Sequence, residues 1–143
     1  MRTLLVAVTF CSLILITSQI SLRPSQSISV SGKLICKGKP AAGVRVKLYD
    51  HDTFTMDDLI AKGKTGADGT FHLSGTANEI TRITPKLNVY HKCGKLIPIC
   101  DIKFSIGIPK SAITRGSTAA HEHDVGTFNL ENKFPGQGTD CLN

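Results

Sequence analysis

The sequence contains no tryptophan, only two methionines and two tyrosines, and aromatic residues make up 6% of its 143 positions. Any core it forms must therefore be aliphatic. Beyond the first twenty residues it has no apolar run long enough to span a bilayer as a helix. It has no basic run dense enough to follow a nucleic-acid backbone. It has no Gly-x-Ser-x-Gly elbow to expose a nucleophile. None of its cysteine spacings resembles a zinc knuckle. There is no Asn-x-Ser/Thr acceptor after the leader, and Gly138–Asn143 carries no lipid-anchor or retention signal. Internal repeats and low-complexity tracts are absent as well. These gaps argue against membrane-spanning, nucleic-acid-binding and serine-hydrolase classes, and no cofactor is expected.

What is present begins with a leader. Met1-Arg2-Thr3 is a short positive start, Leu4 to Ile16 is almost wholly apolar, and small or polar residues follow from Thr17 to Ser21. That layout predicts a cleavable secretory signal over residues 1–20, cut after Ser18 or Ser21, followed by one domain over 21–143. Cleavage removes Cys11 and leaves Cys36, Cys93, Cys100 and Cys141. An even set in an exported chain reads as two disulfides with three possible connectivities. Cys93 and Cys100 flank a turn-like segment, Gly94–Ile99, so the expected pairing is Cys93–Cys100 with Cys36–Cys141 tying down the tail. The formal charge of +6 favours anionic partners.

Apolar residues alternate along most of the remaining chain, the period of a half-buried strand. Ile28, Val30 and Leu34 share one face of a first strand, with Gly32 and Cys36 on the same side. Val44, Val46 and Leu48 turn inward on a second, leaving Arg45, Lys47 and Tyr49 outward. A third runs through Ile60–Thr65, and Gly66-Ala67-Asp68-Gly69 supplies turn chemistry before Phe71 and Leu73 on a fourth. Leu87, Val89 and His91 form one face of a fifth, with His91 packing at the sandwich edge. Ile102, Phe104, Ile106 and Ile108 mark a sixth, and Phe128 and Leu130 a last. Lys110–Ala120 has room for one helical turn. The prediction is an all-β, two-sheet sandwich of about seven to eight strands with at most one short helix.

The segments Val30–Cys36 and Gly38–Tyr49 resemble the start of the nematode transthyretin-like proteins. The likeness continues through Asp57-Asp58-Leu59, Asp68-Gly69-Thr70-Phe71, Leu73–Thr76, Tyr90-His91-Lys92-Cys93 and Asp124–Leu130. It ends in Phe134-Pro135-Gly136 and Asp140-Cys141, and so covers essentially the whole domain. The resemblance implies a secreted, extracellular, prealbumin-like sandwich. In that family some members are linked to signalling and one branch to phosphatidylserine on dying cells. It also implies that the second, third, fifth and sixth strands share a sheet. Their outward residues would then be Arg45, Lys47, Tyr49, Lys62, Lys64, Lys86, Tyr90 and Lys103, a basic face with two amphipathic aromatics. Such a face suits phosphate headgroups or anionic glycans. The alternatives are a carrier of a small apolar ligand and a ligand for a cell-surface receptor. The hydrolytic relatives that open 5-hydroxyisourate end in Tyr-Arg-Gly-Ser. Here the chain ends Gly138–Asn143, and Arg115-Gly116-Ser117 lacks the tyrosine, so no catalytic residue is assigned.

Two further constellations carry chemistry. His121 and His123 project to one side of an extended segment and form half of a zinc or copper site, but no third ligand is identifiable. Asp50, Asp52, Asp57 and Asp58 are carboxylates of the type that binds Ca²⁺, although their spacing matches no EF-hand and an acidic loop is the plainer reading. The sequence leaves the oligomeric state open.

Overall fold

A computed structural model describes residues 23–143, so the expected signal segment and its cut lie outside the described residues. The chain runs through β1 (Ser25–Cys36), β2 (Lys39–Pro40), β3 (Arg45–Asp50), β4 (Asp58–Lys64), β5 (Thr70–Asn78), β6 (Pro85–His91) and β7 (Asp101–Gly107). A 3-10 turn at Lys110–Ala112 precedes β8 (Thr114–Arg115), β9 (His123–Asn129) and β10 (Gly138–Asp140). The seven longer strands are those the alternation predicts. The three short ones have two or three residues each and carry no period to read.

One sheet is ordered β10-β7-β6-β3-β4. In the other, β1 is the spine. It pairs antiparallel with β5 from Ser25 to Lys33, with β2 at its end and β8 near its start, and parallel with β9 between Val30 and Ile35. The inward faces of the two sheets meet in an aliphatic core of Ile28, Val30, Leu34, Val46, Leu48, Leu73, Leu87 and Val89, all at most 4% exposed. Each such side chain contributes about 1.5–3 kcal/mol on burial. Three aromatics cluster in or against the core, where Phe104 stacks on Phe134 with centroids 4.1 Å apart and Phe128 meets Phe134 edge-on.

Two glycines make the closure possible. Gly69 turns β4 into β5 at φ +78, and its carbonyl accepts the Leu34 N–H at 2.8 Å, stitching the turn to β1. Gly75 lets β4 and β5 approach where the two sheets meet, because a Cβ there would lie 2.6 Å from the Ile60 carbonyl oxygen.

The cysteine pairing corrects the sequence expectation. Cys36 bonds Cys93 and Cys100 bonds Cys141, with Cα–Cα separations of 5.9 and 4.5 Å. The reason lies in register. Strand β10 pairs antiparallel with β7, setting Thr139 opposite Ile102 and Asp140 opposite Asp101, so the next facing pair is Cys141 and Cys100. Cys93 and Cys36 both pack against the core, so their bond joins the two sheets. The Cys93–Cys100 loop is therefore not closed on itself but anchored at both bases to other strands.

Candidate functional site

The eight residues expected on the basic face do share one face of the β10-β7-β6-β3-β4 sheet, and register arranges them in rows. Lys64, Arg45, Tyr90 and Lys103 lie across β4, β3, β6 and β7 in that order. The next row runs Lys62, Lys47, Asn88, Ser105, and a third sets Tyr49 opposite Lys86. Tyr90 sits at the centre. Its ring centroid is 5.3 Å from the Lys47 Nζ, 5.9 Å from the Lys103 Nζ and 6.0 Å from the Arg45 guanidinium carbon. Three cations thus lie within cation–π range of one ring, whose quadrupole attracts each. Tyr90 thereby departs from the expectation of an open amphipathic aromatic. It faces outward but is only 3% exposed, because these long side chains lie across it. Burial pushes its phenol up to about 12, against an opposing hydrogen bond from the Asn88 Nδ2 at 3.3 Å.

Not every cation of this face is free for a ligand. Asp101, buried on β7, forms an ion pair with Arg45 and another with Lys92 at 2.6 Å. Burial raises the Asp101 carboxyl, but the hydrogen bonds and charges of Lys92 and Arg45 outweigh it and hold the group below its ordinary value. Lys86 forms an ion pair with Asp57, and the Lys47 Nζ donates to the Asn143 Oδ1 at 2.5 Å. Among the described residues, Lys62, Lys64 and Lys103 have no acidic partner within ion-pair distance. Lys62 and Lys64 border a groove of about 390 Å³ that also runs along Arg45, Val46 and Lys47.

The histidines divide among different roles. His121 is exposed and His123 partly so, and among the described residues no group of three His, Cys, Asp or Glu side chains is placed to hold a metal. On the outer face of the other sheet, the His72 Nε2 meets the Ser29 Oγ at 2.9 Å and the Glu122 Oε1 at 3.6 Å. Serine, histidine and carboxylate are all present, yet serine and acid address the same ring nitrogen. A relay needs the acid on one nitrogen to set the tautomer and the nucleophile on the other. This trio is a polar surface network, and nothing in the sequence pattern had joined Ser29 to it. His91, the last residue of β6, is buried. Its Nδ1 accepts the Cys93 N–H at 3.1 Å, its ring meets Phe104 edge-on at 5.9 Å, and its Nε2 has no partner among the described residues. Burial lowers its pKa, and the Asp101 charge only partly opposes this.

The aspartates after β3 are engaged in holding their own loop. The Asp50 Oδ1 accepts the Thr84 N–H at 2.7 Å, and burial still raises that carboxyl above its ordinary value. The Asp57 Oδ1 meets the His51 Nδ1 at 2.8 Å and accepts the Asp52 N–H at 3.1 Å. Burial pushes Asp57 up, but Lys86, His51 and the Asp52 N–H together bring it down to about 2.

One feature escaped the sequence reading. The loop from Cys93 to Cys100 places Leu96, Ile97 and Ile99 in solvent, Leu96 at 99% exposure, and Leu142 stands 97% exposed one residue past the second disulfide. Three aliphatic residues in the six between the cysteines were the available signal.

The molecule is a two-sheet sandwich braced by two disulfides, one of which joins the sheets. The family model TTR-52, described as the Transthyretin-like family, matches residues 31–109. The chain is 52% identical over 119 residues to Transthyretin-like protein 5 of Caenorhabditis elegans, spanning 82% of this chain and 86% of that one. It is 42% identical to Transthyretin-like protein 2 of the same organism, over 83% of this chain and 84% of that one. Transthyretin-like protein 33 of that organism is 40% identical over 82% and 83% of the two chains. Among solved structures, an (S)-allantoin synthase aligns at a TM-score of 0.41 and 15% identity, over 88% of this chain and 47% of that one, too slight a likeness to carry function. The chain belongs to the transthyretin-like family.

Proposed function

We propose that this protein is secreted and non-enzymatic, and that it binds anionic surfaces outside the cell through the basic sheet face. The reading rests on one observation: the strand register sets Lys62, Lys64 and Lys103 around Arg45, Lys47 and Tyr90 on a single face, with those three lysines unpaired by acids among the described residues. Phosphate headgroups are the favoured ligand, because compact lysine ammonium groups act as point charges toward phosphate and need no bidentate fit. Two disulfides support an oxidising, extracellular setting. Arg45 has a different role, since its ion pair with buried Asp101 ties β3 to β7.

The test is a charge reversal that leaves Arg45 alone. Lys62→Glu/Lys64→Glu/Lys103→Glu is compared with the parent for retention on phosphatidylserine vesicles and on heparin. The expected result is a loss of at least about tenfold on whichever surface the parent binds, and a parent affinity that falls with added salt. A parent that binds neither surface, or a triple variant that binds as well as the parent, ends the proposal.

A second reading, a carrier of a small apolar ligand, draws support from one groove. A groove of about 350 Å³ is lined by Ile80, Ile113, Arg82 and Arg115, together with Pro24, Gln26 and Thr81. Native mass spectrometry of protein purified from its source distinguishes it, because a carrier retains its cargo.

A further inference from the structure

The loop between β6 and β7 is short, apolar and held unusually firmly. Leu96 is 99% exposed, Ile97 66% and Ile99 80%, so this loop alone turns three aliphatic side chains into water. Such exposure is unfavourable, and a contiguous group of exposed aliphatics marks a surface that meets something apolar. The loop does not present them by being loose. Cys93 at one base is bonded to Cys36 of β1, and Cys100 at the other is bonded to Cys141 after β10. Gly94 takes φ +74 while the Lys95 N–H donates to the Lys92 carbonyl at 3.1 Å, which fixes the turn into the tip. The Lys95 Nζ donates to the Cys100 carbonyl at 2.7 Å, across the loop. The second disulfide sets Leu142, exposed as well, one residue from the base of the same loop.

The charge around the tip indicates what it meets. Lys92 and Lys95 lie within the loop or at its base. Lys37 and Lys39 lie on the β1–β2 turn that the first disulfide joins to that base. Between Lys92 and Cys100 there is no acidic residue; Asp101 follows and pairs with Lys92, which leaves Lys37, Lys39 and Lys95 without an acidic partner among the described residues. An apolar tip flanked by Lys95, with Lys37 and Lys39 on the strand end and turn bonded to its base, fits a soft anionic surface, with aliphatic groups entering the headgroup–acyl boundary and ammonium groups remaining at phosphate depth. A rigid protein partner would need a cavity shaped to the tip, whereas a bilayer deforms around it.

We infer that the Leu96–Ile99 tip, with Leu142, inserts into the outer leaflet of an anionic phospholipid bilayer. This rests on the anionic-surface reading above and adds to it a depth and an orientation. The basic sheet face steers the approach, and the disulfide-braced end of the sandwich enters the membrane.

The absence of tryptophan makes a clean test. Leu96→Trp places a single reporter at an exposed position where the fold makes no demand on it, and Phe54→Trp places one in the exposed β3–β4 loop. The disulfide-bonded protein is mixed with phosphatidylcholine vesicles, with and without phosphatidylserine. The expected result is a blue shift of about 10 nm for Leu96→Trp with phosphatidylserine only, quenching by lipids brominated in the acyl chain, and no shift for Phe54→Trp. A companion variant, Leu96→Ser/Ile97→Ser/Ile99→Ser, is expected to lose vesicle retention by about tenfold or more. Vesicle retention with an unmoved Leu96→Trp overturns the insertion and leaves the basic-face reading standing. Retention on heparin but not on vesicles overturns insertion and identifies the anionic partner as glycan. Binding to neither defeats both readings. A blue shift that grows with protein concentration and needs no lipid makes a second copy of the chain the occupant, and overturns the inference.

Discussion

The β3–β4 loop and the β6–β7 loop both hold apolar side chains out in water, and they are built in opposite ways. In the first, Phe54 is 97% exposed and Met56 88%, in a segment that also contains Asp52 and Asp57 and is bounded by Asp50 and Asp58. Its order comes from polar contacts alone, His51 and Lys86 on Asp57 and the Thr84 N–H on Asp50. In the second, the apolar residues follow Lys95 with no acid before Cys100, and both bases are covalently anchored. Exposed hydrophobicity is thus the same in kind at both places, while charge and stiffness differ. An acidic loop is repelled by an anionic surface and a polar network yields under load, so only the braced loop is fitted to push into a membrane.

The largest effect that distinguishes the two loops comes from the braces. Replacing Cys36 and Cys93 together by Ala releases a 57-residue span. Chain-entropy reasoning puts the cost at about 4 kcal/mol, and nearly the same for Cys100 and Cys141 with their 41-residue span. Urea unfolding of each pair variant measures it. The two deletions are expected to cost similar stability, and both are expected to reduce vesicle retention by letting the tip fold back. Unchanged unfolding midpoints in both variants remove the claim that the disulfides brace this end.

Those braces also mark the limit of what the residues disclosed. Strand identity was legible, because Val44-Arg45-Val46-Lys47-Leu48 and Ile102-Lys103-Phe104-Ser105-Ile106 alternate strictly and a side chain's face follows from period alone. The outward placement of Lys47, Lys62 and Lys103 came from the same rule together with a sheet order supplied by the family likeness. Cysteine pairing was not legible. It depends on β10, three residues long, and on its register against β7. The engagement of Arg45 by Asp101, 56 positions away, was hidden for the same reason. Tyr90 was placed on the correct face but not in the correct environment, since alternation says where a side chain points and not what lies across it. The tip was overlooked because a turn-like segment with Gly and Pro invites a reading of its backbone rather than of the Leu and Ile between them.

pH sharpens the comparison, because the two ends titrate in different ranges. At the braced end, burial keeps His91 neutral and its folded pKa lies below the ordinary 6.5, with Asp101 only partly restoring it. The unfolded chain therefore binds the extra proton first. Stability is complete above pH 6.5 and drains as pH falls through the folded value. At the acidic loop, Asp57 lies at about 2 against an ordinary 3.8. Its contribution is complete above 3.8 and is lost only as pH falls through 2. Urea midpoints measured from pH 8 to pH 5 are thus expected to decline for the parent and to decline less for His91→Phe, which keeps an aromatic ring beside Phe104. Equal slopes in the two proteins remove His91 as the cause.

The smallest effect is expected at the acidic loop, and it serves as the control. Phe54→Ser/Met56→Ser removes two side chains that pack on nothing buried, so the unfolding midpoint should move by no more than about 0.5 kcal/mol in free-energy terms. Retention on phosphatidylserine vesicles should stay at the parent level, because Asp52, Asp57 and Asp58 oppose contact with anionic headgroups from that side. The same measurement bears on orientation. If the substitution weakens vesicle retention as much as the Leu96–Ile99 serine variant does, apolar exposure alone governs contact and Lys95, Lys37 and Lys39 at the braced loop have no directing role.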